Sequence, residues 1–203
     1  MKSNMLTLTA VFCLVALVAS CTDMGVEPLV PNFTLADFPH EVGTAWTYAV
    51  YDNILQKVET VVVTVSGKMS SASVWFWEVD YPGVKETAYC HVDGDTMRIY
   101  HQEDQTWINT TYVFPIQAGR RWDGASVGNE CTVYKVGPDA VAAGSFESCF
   151  QIMESWGAPD DHTDFSSWLV PQVGIVRMNH TETQRGIVLK NVTWELLSYD
   201  VSP

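Results

Sequence analysis

Residues 60–68, TVVVTVSGK, set Val61, Val63 and Val65 on one side of an extended chain and Thr60 and Thr64 on the other. Alternation with a period of two belongs to a β-strand with one face in a core, and Ser66-Gly67-Lys68 then reads as the turn that ends it. The next stretch, SVWFWEVDYPG (73–83), puts Trp75, Trp77, Val79 and Tyr81 on one face and closes on Pro82-Gly83. CHVDGDTMRIYH (90–101) carries Asp93-Gly94 between two β-rich arms, the chemistry of a hairpin turn. Further strands are expected over 106–114, 130–141, 146–156, 165–170, 173–181 and 187–200. Outside the first residues no stretch holds the i, i+3, i+4, i+7 apolar stripe of a helix. The fold class is therefore all-β: an antiparallel meander forming a sandwich, a barrel or a curved half-barrel sheet, with little helix. The strands starting at Trp75 and at Ile187 are apolar on both faces, so each is expected to be covered on two sides.

The N-terminus has a different pattern. Lys2 is followed by an apolar stretch from Met5 to Val18, interrupted by Thr7 and Thr9, and then by Ala19-Ser20. A charged start, a short apolar core and small residues are the layout of a removable secretory leader, and the core is shorter than the roughly 20 residues of a membrane span. Val18-Ala19-Ser20-Cys21 resembles the lipobox of bacterial lipoproteins. That resemblance implies diacylglyceryl transfer to the Cys21 thiol, cleavage before Cys21 and acylation of the new amine. The alternative is an ordinary secreted chain with a cysteine near its cleavage site. The expected organisation is a leader over 1–20, a lipidated Cys21 with a tether over 21–35, and one β-rich domain over 36–203. Thr22 stands where an Asp retains some lipoproteins at the inner membrane, which points to the outer membrane of a bacterial envelope. No cofactor is expected beyond the lipid on Cys21.

Without residues 1–20 the chain keeps 10 basic and 24 acidic residues, a net charge of −14. Such a surface repels nucleic acid and anionic head groups, which makes nucleic-acid binding the least expected function. At 47% apolar and 17% charged residues the chain is globular rather than disordered. A domain of about 165 residues buries roughly 70% of its unfolded surface and needs no metal or disulfide to fold. Past Cys21 three cysteines remain, Cys90, Cys131 and Cys149. In an oxidising envelope they allow one disulfide, for which Cys131 with Cys149, on successive expected strands, is the favoured pairing.

FPHEVGTAWTY (38–48) resembles the opening of a loose group of bacterial secreted proteins and lipoproteins. FPIQAGRRW (114–122), VAAGSFESCFQI (141–152), WLVPQVGIVR (168–177) and the closing WELLSY (194–199) resemble later motifs of the same group, in the same order. Ala143 departs from the usual Pro before Gly144, and Gln172 from the usual Gly before Val173-Gly174. The resemblance implies an antiparallel β protein of the cell envelope and brings no activity with it. Gly43, Gly119, Gly144 and Gly174 are expected where the backbone needs φ > 0 or close approach, with Trp46, Trp122 and Trp168 covering the core.

Few residues suggest chemistry. Asp160, Asp161 and Asp164 around His162 could offer hard oxygen ligands to a cation, or form a solvated hairpin tip. Cys90 and His91 are neighbours on a strand, point to opposite faces, and so cannot act as nucleophile and base. Hydrolase chemistry would need two or more of Asp160, Asp161, His162 and Glu154 to converge in a cleft. Four N-x-S/T triplets, at Asn32, Asn109, Asn179 and Asn191, read as Thr-rich strands and turns. Trp75, Phe76 and Trp77 are the candidate binding surface, since aromatic faces stack on sugars and line apolar grooves. The leading expectation is a non-enzymatic, membrane-anchored module for interaction with an envelope protein. The second is a carrier or sensor of an apolar or saccharide ligand in a Trp-lined groove.

Overall fold

The computed structural model describes residues 31–69, 73–100, 108–125 and 128–202. The expected leader, Cys21 and the tether up to residue 30 lie outside the described residues. The first half of the chain forms β1 (Ala45–Asp52), β2 (Lys57–Met69), β3 (Val74–Tyr81), β4 (Val84–Asp93), β5 (Thr96–Tyr100) and β6 (Ile108–Val113). The second half forms β7 (Arg121–Asp123), β8 (Glu130–Val141), β9 (Gly144–Ala158), β10 (Asp161–Val170), β11 (Gly174–Gln184) and β12 (Ile187–Asp200). A 3-10 turn over Leu35–Asp37 precedes β1.

All 12 strands belong to one sheet in the order β6-β5-β4-β3-β2-β1-β12-β11-β10-β9-β8-β7. Each neighbouring pair is antiparallel, so two meanders meet where β1 pairs with β12, Ala45 opposite Asp200. The outermost strands β6 and β7 approach each other at a seam, where the Trp122 indole Nε1 donates to the Thr111 carbonyl at 2.8 Å. The sheet is thus a nearly closed barrel, one of the forms the alternating pattern allowed.

Alternation holds where it was read. Val61, Val63 and Val65 face the interior, and Trp75 and Trp77 are buried there as well. Asp93-Gly94 turns β4 into β5 with Gly94 at φ 56°. The expected turn at Ser66-Gly67-Lys68 is instead a bulge: β2 continues to Met69 with its register shifted between Val65 and Gly67. Gly67 has no Cβ to meet the Phe76 ring, whose Cδ2 would lie 3.2 Å from one. The expectation of two covered faces fails at the start of β12, where Ile187, Val188 and Leu189 are exposed. β7 and the 3-10 turn carry no periodic signal and were not anticipated.

One end of the barrel is filled by aromatic side chains from outside the ladders. Phe33, placed in the tether by its position in sequence, bridges Ile116 through paired backbone hydrogen bonds of 3.1 and 2.8 Å and is fully buried. Its ring meets Phe114 edge-on at 5.5 Å, and Phe38 stacks on Trp77 at 6.2 Å with planes 2° apart. Asp37 holds the turn by accepting from the Thr34 N–H and hydroxyl at 2.9 and 2.6 Å. The hydrogen bonds from Thr34 keep the Asp37 carboxyl below its ordinary range. The Gln172 N–H donates to the Asp37 carbonyl at 2.7 Å, which ties this segment to the β10–β11 turn.

The expected disulfide is not formed. Cys90, Cys131 and Cys149 are all free and buried. Cys131 lies opposite Glu154, whereas Cys149 lies opposite Gly137. Five positions along β9 at ~3.4 Å each separate the two rungs by about 17 Å, beyond the ~7 Å limit for a bridge.

Candidate ligand site

Above the aromatic filling the barrel interior stays open as a cavity of about 410 Å³. An engineered apolar cavity of about 150 Å³ already holds benzene, so this space suits a larger guest. Phe38, Trp46, Tyr48 and Trp77 make its floor, and these side chains are nearly inaccessible to solvent. Val50 and Val63 extend the wall along β1 and β2, and Ile175 and Met178 along β11. Val192 and Trp194 of β12 and Trp156 and Phe165 of β9 and β10 complete it. Burial falls from floor to half-buried wall towards the β1–β2, β3–β4 and β11–β12 hairpins, where the cup opens.

Its polar groups are concentrated towards that mouth. Glu86 and Thr87 come from β4, His180 from β11 and Lys190 from β12. The His180 Nε2 lies 2.8 Å from a Glu182 carboxylate oxygen, and the Lys190 Nζ 3.6 Å from the same oxygen. Burial and then the Lys190 charge nonetheless hold the His180 pKa below its ordinary value, against the pull of Glu182. At the floor the Tyr48 hydroxyl donates to the Ile175 carbonyl at 2.8 Å. Burial and then the neighbouring Tyr112 push the Tyr48 phenol far above its usual range, so it stays neutral. The Trp77 Nε1 has no hydrogen-bond partner among the described residues, leaving one donor in an otherwise apolar floor.

The candidate aromatics Trp75, Phe76 and Trp77 are separated by the pleat. Only Trp77 lines the cavity. Trp75 is buried beside it, with the His40 ring edge-on at 4.9 Å and the Lys68 ammonium 4.5 Å from its ring centre. Phe76 lies on the opposite face against Tyr89, at 5.7 Å. The face shared by Trp75, Trp77, Val79 and Tyr81 nevertheless supplied the right parity, since Val79 and Tyr81 continue the cup wall. Glu86, His180 and Lys190 had no sequence signal of their own, and Trp194 stood out only as the first residue of WELLSY.

Asp160, Asp161 and Asp164 do not assemble a cation site. Asp161 accepts from the Arg185 N–H at 2.9 Å, while Asp164 accepts from the Ser155 hydroxyl at 2.6 Å. Among the described residues no group of three or more His, Cys, Asp or Glu could hold a metal ion. Glu154 does not join them to make a hydrolytic cleft: it is buried in the interior, where its Oε1 accepts from the Ala125 N–H at 2.9 Å.

No protein-family model matches the chain, and no curated protein matches it. Among solved structures, a crystal structure from Bacteroides fragilis, a "putative exported protein with YmcC-like fold", is similar over 84% of this chain and 100% of that one, at 14% identity and a TM-score of 0.50. A "putative lipoprotein" from Parabacteroides distasonis aligns over 80% of this chain and 97% of its own, at 13% identity and a TM-score of 0.41. The likeness to the Bacteroides fragilis protein establishes the fold, a nearly closed antiparallel barrel of the YmcC-like type.

Proposed function

We propose that this protein is a lipid-anchored carrier of the bacterial envelope whose barrel cup takes one apolar or amphiphilic small molecule. The observation that carries this reading is the 410 Å³ cavity with an aromatic and aliphatic floor and with its charged groups towards the mouth. A saccharide would leave its hydroxyls unpaired against such walls, at a few kcal/mol for each group, whereas an acyl or other apolar chain loses nothing there. The cavity therefore favours carriage over an interaction module, and an apolar guest over a sugar. Anchorage through Cys21 and placement at the outer membrane are supported by the Val18-Ala19-Ser20-Cys21 pattern and by Thr22.

The test is native mass spectrometry of the full chain matured in a bacterial envelope and released in a mild detergent. A reproducible non-covalent adduct that organic solvent extracts supports the carrier. A bare chain that also fails to quench its tryptophan emission with added fatty acids or other apolar probes would overturn it.

A further inference from the structure

The mouth of the cup has a second property that carriage does not require. Among the described residues thirteen large apolar side chains are exposed, and six of them cluster at three hairpins. Ile54 and Leu55 stand at the β1–β2 tip, Val84 at the β3–β4 tip, and Ile187, Val188 and Leu189 at the β11–β12 tip. In the sheet the strands run β11-β12-β1-β2-β3-β4, so these tips are consecutive along one arc of the rim. Leu55 is 72% exposed and Ile187 64%, values that a water-facing turn has no reason to maintain.

Each tip also carries a cation. Lys57 follows Leu55, Lys85 follows Val84, and Arg185 and Lys190 flank the apolar triplet. Four of the ten basic residues beyond Cys21 therefore sit on this arc, in a chain whose net charge is strongly negative. Acidic groups face them too: Glu59 beside Lys57, Glu78 and Asp80 beside Lys85, and Glu182 beside Lys190. The Arg185 guanidinium has no carboxylate within salt-bridge distance among the described residues. Protruding apolar tips with long basic side chains beside them match a headgroup layer, where the alkyl stems lie among acyl chains and the charges rise to the phosphates.

We propose that this arc is a bilayer-docking rim, which seats the open mouth of the cup on the phospholipid surface. A membrane is the occupant that fits, because separate tips can enter lipid individually, whereas a protein partner would need one continuous matching face.

The test places a polarity-sensitive fluorophore on Leu55→Cys, on Leu189→Cys and, as control, on Tyr134→Cys, which is 69% exposed on β8. The full chain is incorporated into vesicles of phosphatidylethanolamine and phosphatidylglycerol, with and without brominated acyl chains. The expected result is a blue shift and several-fold stronger quenching at 55 and 189 than at 134, reduced when Lys85 and Arg185 are changed to Glu. Labels at 55 and 189 that stay as water-exposed as the label at 134 would overturn the proposal. So would labels that stay wet on vesicles but become dry in whole envelopes, which would put a protein on the rim. Ligand content of the same samples, read by mass spectrometry, reports on the carrier separately, since a loaded cup can stay undocked and an empty one can dock.

Discussion

Trp46 and Val173, 127 residues apart, are joined by a hydrogen bond from the indole Nε1 to the carbonyl oxygen at 2.6 Å. The bond ties β1 to the β10–β11 turn beneath the floor of the cup. Gly174, next in the chain, adopts φ +94° with the Trp46 Nε1 3.2 Å from where a Cβ would sit. Trp46→Phe leaves a buried carbonyl unpaired and should cost about 1–3 kcal/mol. Gly174→Ala adds backbone strain to a steric conflict and should cost a similar amount. Urea midpoints of the two variants measure both. An unchanged midpoint for Trp46→Phe would mean that water reaches Val173.

Val79 is a half-buried part of the cup wall and makes no polar contact. Val79→Trp should fill much of the space that a guest would occupy, lowering affinity for an apolar probe at least tenfold with little change in melting temperature. Probe titration followed by tryptophan quenching measures it. Equal binding by the variant would place the guest elsewhere.

Ala143 occupies the position where the resembling sequences carry proline, and here its N–H donates to the Leu196 carbonyl at 3.0 Å. This contact fastens the β8–β9 hairpin to β12. Ala143→Pro removes the donor and should destabilise by about 1–3 kcal/mol despite matching the pattern of those sequences. Denaturant unfolding of the variant decides it, and a gain in stability would show that the hydrogen bond contributes nothing.

The three buried thiols make stability depend on pH. Burial pushes Cys149 up to about 12, and Cys90 and Cys131 higher, with Glu154 adding to burial at Cys131. An unfolded thiol titrates near about 8.5. Above that pH the unfolded chain releases protons that the folded chain retains, so the stabilisation is complete below about 8.5 and declines as pH rises towards 12. The slope is at most about 1.4 kcal/mol per pH unit for each thiol. Urea midpoints between pH 7 and 10 should be flat at first and then fall. Alkylation at pH 8 should leave all three cysteines unmodified until denaturant is added. A midpoint that stays flat to pH 10, or a bridge between Cys131 and Cys149 found by peptide mass, would contradict these buried free thiols.

Much of this barrel was readable because the period of two is a local property. Val61, Val63 and Val65 alternate whatever strand pairs with them, and Asp93-Gly94 turns whichever way the sheet curves. Gln172 could be suspected of standing in a glycine position, and it does adopt φ 64°. The same local reasoning misjudged Gly67, since whether a glycine ends a strand or bulges within it depends on the Phe76 ring of the next strand.

What the sequence by itself determined is the all-β class, most strand positions and the parity that turns Trp77, Val79 and Tyr81 inward. Tertiary structure alone decided that β1 pairs with β12 across nearly the whole chain, that Phe33 and Phe38 fill one end, and that Cys131 and Cys149 stay apart. It also decided that His180, Lys190, Glu86 and Trp194 share one cavity and that three hairpin tips share one rim. The reason is that register and closure depend on contacts between residues distant in sequence, whose pairing no local periodicity encodes, while alternation requires only that a strand have an inside and an outside.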